Sequence, residues 1–116
     1  MLRDSRRLID SHRWIGDLAI RRLSLAARGL FVDLSALADQ GNPSGFLTIP
    51  QARILTLLEI TKEEYAARLE ELEAAGVFLR DLSGTLFSPE LRRRENNRAN
   101  GRRGGNPNIV RPAETV

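Results

Sequence analysis

Cysteine is absent from the 116-residue sequence. That excludes a disulfide framework, cysteine-ligated zinc and a thiol nucleophile. Histidine occurs once, at His12, which excludes a histidine metal cluster; its place near the N-terminal end leaves no Ser-His-Asp set beyond chance. Aromatic residues make up 5% of the chain, with one Trp and one Tyr, too few for a platform on which successive single-stranded bases stack. No window of about 18 residues is uniformly apolar, so no membrane span is expected. The first 28 residues mix Arg and Asp with Leu and Ile, unlike a secretory signal. No Gly-rich loop leads into Lys-Ser or Lys-Thr, which removes a nucleotide-binding P-loop. Asp33 with Asp39, or the glutamates at 70–73, lack the flanking ligands of a built cation site. The expectation is a cytoplasmic non-enzyme with no metal, no cofactor and no small-molecule substrate.

What the chain has is arginine. Lys62 is the only lysine among 18 basic side chains, and the formal net charge is +3. The layout says more than the total. Residues 1–28 carry seven Arg and three Asp, net +4; residues 29–80 carry four bases and eight acids, net −4; residues 81–116 carry seven Arg and four acids, net +3. Two basic ends around an acidic middle suit a polyanion such as nucleic acid.

Hydrophobic spacing supplies the elements. Residues 1–12 read as a flexible polar arm. Leu25 to Gln40 reads as a helix capped by Ser24 and stopped by Gly41, with Leu30, Leu34, Leu37 and Ala38 as an apolar stripe and Phe31 beside it. A loop at residues 41–45 leads to a short strand-like run, Phe46 to Ile49, and then to a short helix, Gln51 to Leu58, with Ile54, Leu55 and Leu58 inward. Thr61-Lys62-Glu63-Glu64 is a capping box that opens a second helix, with Tyr65, Leu69 and Leu72 inward and Gly76 as its stop. Val77 to Asp81 and Thr85 to Ser88 flank a Ser83-Gly84 turn, the signal of a hairpin. Pro89 to Arg94 opens a last, basic helix. Residues 96–116 hold five Asn, four Arg, three Gly and two Pro, and read as a basic disordered tail. The fold class expected is mainly α with a small β-hairpin wing, α+β, in the order of a winged helix-turn-helix over 13–95.

Several segments carry a resemblance: Trp14 and Asp17, LSLAARGLFVDLSALADQ at 23–40, Gly45-Phe46-Leu47, KEEY at 62–65, GTLFSPEL at 84–91 and NGRRGGNP at 100–107. Across roughly residues 13–107 the chain resembles the N-terminal winged-helix domain of phage and prophage replication-initiation proteins of the replisome-organiser type. The resemblance implies a bacterial host cell, double-stranded DNA bound at an origin, and a replication protein as partner.

The residues themselves weigh for and against groove reading. The helix at 62–75 sets Lys62 and Arg68 against five glutamates, which phosphate would repel. Only its start, Lys62, suits a groove. Arg21 and Arg22 are candidate phosphate clamps, and Arg80 with the Ser83-Gly84 turn forms the candidate wing contact. Arg92, Arg93, Arg94, Arg98, Arg102 and Arg103 form the densest basic stretch, with Glu95 the only acid in twelve positions. Trp14 and Tyr65 read as core side chains. Two alternatives stay open: a protein-interaction module that forms a homodimer or docks a partner through the acidic helix, and a transcription regulator of the same fold.

Overall fold

The computed structural model describes residues 10–104, with side chains as far as Gly101. Six helices and one hairpin follow in order: α1 (Ser11–Gly16), α2 (Leu18–Arg21), α3 (Leu25–Asp39), α4 (Gln51–Leu58), α5 (Lys62–Ala74), β1 (Leu79–Arg80), β2 (Leu86–Phe87) and α6 (Pro89–Gly104). The protein is thus mostly helical with a small two-stranded antiparallel sheet. Among the described residues no helix is long and apolar enough to cross a membrane.

The starts of α3 and α5 are set by hydroxyl caps. Ser24 Oγ accepts the Ala27 amide proton at 3.1 Å, and Thr61 Oγ accepts that of Glu64 at 3.0 Å. Only half of the expected capping box forms, because the Glu64 carboxylate turns forward to Arg68 at 3.0 Å. Glu59, left-handed at φ 56°, ends α4 and starts the three-residue turn into α5.

The core is the meeting of two stripes. Leu30, Leu34 and Ala38 of α3 and Tyr65, Leu69 and Leu72 of α5 are all buried, with Ile54, Phe78 and Leu91 closing around them. Burial pushes the Tyr65 hydroxyl pKa up. The hairpin pairs Leu79 with Phe87 and Arg80 with Leu86, and Phe46 forms a single antiparallel bridge to Phe87 on the other edge. The strand-like run at 46–49 is therefore one bridge residue, and the two hairpin strands are shorter than their sequence runs. The helix ends at Asp39 with Gln40 as its cap, just before Gly41, and a Cβ at Gly41 would lie 2.0 Å from the Phe46 carbonyl oxygen.

Two expectations need correction. The polar arm expected at 1–12 gives way to helix at Ser11, because Asp10 accepts the amide protons of His12 and Arg13. Asp17 does the same for α2 through Ala19. The expected tail at 96–116 is helical as far as Gly104. No apolar stripe runs past Leu91, but close side-chain pairs support the helix: Glu90 with Arg94 at 3.1 Å, Glu95 with Arg98 at 3.1 Å. Residues 1–9 and 105–116 lie outside the described residues.

Candidate nucleic-acid interface

The N-terminal helices are tied to the core by a column of rings. Trp14 stacks on Phe31 with centroids 5.9 Å apart, Phe31 meets Phe78 edge-on at 6.1 Å, and the Arg21 guanidinium lies 5.5 Å from the Trp14 centroid on the indole. Arg21 Nε is buried and, among the described residues, unpartnered. Arg22, the cap of α2, is exposed.

The first turns of α6 stand beside these helices. Ser88 Oγ accepts the Leu91 amide proton at 3.2 Å, which fixes the helix start. Glu90 then gathers three arginines: Arg13 of α1 at 3.1 Å, Arg94 at 3.1 Å, and Arg93 in a close ion pair. Arg13 also pairs with Asp17 at 3.1 Å, so three guanidiniums meet two carboxylates and one positive charge is left over. Arg93 and Arg98 are 55% and 42% exposed, open to solvent on the same helix. Arg92 is different. It donates to the Ser44 carbonyl at 2.8 Å, lies 5.0 Å from the Phe46 centroid and packs its stem over Gly45, so it holds α6 to the loop. The side chains of Arg102 and Arg103 lie outside those described.

A groove of about 400 Å³ opens between α1, α2 and α6, lined by the apolar Trp14, Ile20, Phe31, Val77 and Pro89, by Arg13, Arg93 and Arg94, and by the carboxylates Asp10, Asp17 and Glu90.

The α5 face is built differently from its expected role as a wall of five exposed carboxylates. Glu71 accepts the Ser24 amide proton at 3.1 Å and the Ser24 hydroxyl proton at 2.9 Å, and pairs closely with Arg68. Glu64 also pairs with Arg68, and Glu73 takes both ends of Arg80 at 3.1 and 3.2 Å. Of the five glutamates of α5, only Glu63 and Glu70 carry no ion pair among the described residues. Arg80 also donates to the Gly84 carbonyl at 3.1 Å, so it braces the hairpin turn against α5 and is not a free wing contact. Lys62 is exposed at the start of α5. Arg21 and Arg22 lie by its far end, next to Ser24, which Glu71 holds; the helical rise separates Lys62 from Glu71 by about 13 Å. Lys62 and the Arg21-Arg22 pair therefore do not form one patch.

Two carboxylates have lowered pKa values. Glu71 is held below the usual glutamate range chiefly by the Ser24 amide, then by Arg68 and the Ser24 hydroxyl. Asp81 is lowered by the Ser83 hydroxyl and by turn amides from Thr85 and Ser83. A folded-state pKa below the unfolded one stabilises at higher pH, and that stability is lost as pH falls through the folded value. Acid should therefore begin to weaken the fold below about pH 4.3, the ordinary glutamate value. Glu71→Gln should flatten this acid limb in melting curves taken from pH 6 downward. An unchanged limb would show that the Ser24 contact does not persist in solution.

Sequence reasoning missed Arg13 and Glu90 as parts of the basic face. The available signal was the Arg13-to-Asp17 spacing of four, which does form an ion pair at 3.1 Å. No family model matches the chain, and neither a curated protein nor a solved structure matches it.

Proposed function

We propose that the protein is a non-catalytic winged helix-turn-helix protein that binds duplex DNA, with α6 supplying most of the contacts. The supporting order is α3, a bridge strand at Phe46, α4, α5 and a hairpin whose second strand pairs with that bridge. The carrying observation is the convergence of Arg13, Arg93 and Arg94 on one carboxylate, Glu90, with Arg98 further along the same helix. Helical register sets positions 94, 98 and 102 on one side of α6, each four residues and about 6 Å further along the axis. Contacts of this kind engage phosphate and carry little base information, so sequence preference should be low. Replication initiation in a phage or prophage setting, within a bacterial cytoplasm, is proposed on the residue resemblance alone.

The test is fluorescence anisotropy of the full chain with random duplex DNA across a salt series. Tight binding at low salt with a steep decline is expected. Absence of binding at low salt would overturn the reading.

A second reading has one observation in its favour. Glu63 and Glu70 are exposed, and among the described residues they are unpaired, as a surface that docks a basic protein or a second copy's Arg face would need. Changing both to Gln distinguishes the two. Duplex affinity should stay unchanged if α6 makes the contacts. It should rise if α5 faces the phosphates, because two repulsive charges are gone. Loss of self-association measured by sedimentation would instead identify α5 as an interface between copies.

A further inference from the structure

We propose that the groove between α1, α2 and α6 takes one unstacked nucleobase, the strand's phosphates running on along α6, so that the protein holds single-stranded DNA there in preference to duplex. This rests on the nucleic-acid reading above and adds a site and a strand preference to it.

The groove has the two properties that a nucleotide needs. Its walls, Trp14, Ile20, Phe31, Val77 and Pro89, are apolar, and its volume of about 400 Å³ lies in the lower part of the range of ligand pockets. A base has two flat apolar faces to bury there. The indole of Trp14 is already stacked on Phe31 at 5.9 Å, with the Arg21 guanidinium 5.5 Å from its centroid, so the base meets a wall that is held in place. The walls are thus preorganised, which lowers the cost of binding. Arg13, Arg93 and Arg94 also line the groove, and their planar donors suit phosphate oxygens.

Three carboxylates line the same groove, and each is already committed. Asp10 and Asp17 cap α1 and α2, Asp17 also holds Arg13, and Glu90 is shared among three arginines. The groove as a whole is balanced in charge, but on α6 Arg93 and Arg94 outnumber Glu90, so an anion is favoured on that side.

A polymer fits better than a compact anion. Arg98 lies one turn beyond Arg94, and register sets position 102 a turn further, a spacing comparable to that of successive phosphates on one strand. A small ligand would leave these positions unused. A base inside a duplex is already paired and stacked, and would first have to be extruded, so the groove favours a single strand.

Trp14 is the only tryptophan, so its emission reports on the groove. The full chain is titrated with a short oligothymidylate, an abasic strand of the same length and the matching duplex, at one salt concentration. Oligothymidylate should shift Trp14 emission and bind about tenfold more tightly than the abasic strand, the difference being the contacts of the base. Duplex should bind without moving the emission. Ala19→Phe, which fills the groove from α2, should erase the difference between oligothymidylate and the abasic strand. Equal binding of normal and abasic strands with Trp14 unmoved would overturn the base site and leave the nucleic-acid reading intact. A duplex that shifts Trp14 as strongly as the single strand would overturn the strand preference. A shift produced by an acidic, leucine-containing peptide but not by oligothymidylate would reassign the groove to a protein partner. Failure of all three nucleic-acid probes to bind would remove the nucleic-acid reading itself.

Discussion

Phe78→Ala should lower the melting temperature by roughly 15–30 °C. Phe78 is fully buried, follows the turn out of α5 and meets Phe31 edge-on at 6.1 Å. Removing such a ring leaves a cavity that costs about 3–5 kcal/mol. In a domain of this size each kcal/mol moves the melting temperature by roughly 4–8 °C. The total stability of a small domain is only about 5–15 kcal/mol, so this one change removes a large part of it. The loss should also be felt at a distance. Phe78 supports Phe31, and Phe31 supports Trp14, so near-ultraviolet dichroism and Trp14 emission should change along with the melting curve. Phe78→Leu keeps most of the volume and should cost far less. Leu82→Ala serves as the contrast: Leu82 is fully exposed at the hairpin turn, and its loss should leave the melting temperature unmoved. A shift of only a few degrees for Phe78→Ala would mean that the ring column does not tie the N-terminal helices to the core.

The parts of the fold legible in the sequence are those that bury apolar side chains at a regular period. Leu30, Leu34 and Ala38 recur at the helical spacing, as do Tyr65, Leu69 and Leu72, and both sets lie in the core. Ser24 and Thr61 announce the starts of their helices because a hydroxyl cap acts within three residues, a distance that sequence reports directly. α1 and α2 were not legible, because helices of six and four residues are too short to show a period. Their only signals are Asp10 and Asp17, single capping residues. α6 beyond Arg94 was not legible for a different reason. Its stability does not come from an apolar face, so a rule that equates polarity with disorder fails on it.

The candidate site was less legible than the fold. Charge counting singles out the segment 92–103 but cannot tell what each arginine touches. Arg80 and Arg93 read alike in sequence. One is held by Glu73 seven residues away, while the other pairs with Glu90 three residues away and lines the groove. Glu71 read as one of five surface acids, yet its carboxylate caps a helix that begins 47 residues earlier. Partners so far apart in sequence are set by how α3 packs on α5, and no local pattern encodes them.

Those assignments give the second large effect. Changing Arg93, Arg94, Arg98, Arg102 and Arg103 together to Gln should nearly abolish salt-dependent binding to duplex DNA. Each phosphate neutralised contributes about −0.9 to the slope of log affinity against log salt, so five contacts give a slope of about −4.5. Between about 50 and 200 mM salt the unaltered protein should therefore lose roughly 500-fold in affinity. Changing Arg93 and Arg98 alone should reduce the slope to about −2.7, because the remaining three contacts persist. Gln is chosen because its helix propensity is close to that of Arg, so α6 should stay folded. The surface ion pairs lost with Glu90 and Glu95 are worth about 0–1 kcal/mol each, and circular dichroism should show the helix intact. Arg92→Gln is the internal contrast. Its guanidinium is spent on the Ser44 carbonyl and the Phe46 ring, so this change should lower the melting temperature and leave the salt slope alone. The two kinds of arginine, equivalent by charge, would then separate by assay. If the fivefold variant kept the slope of the unaltered protein, the phosphates would have to lie against Lys62, Arg22 and the hairpin turn, and α5 would be the reading helix in spite of Glu63 and Glu70.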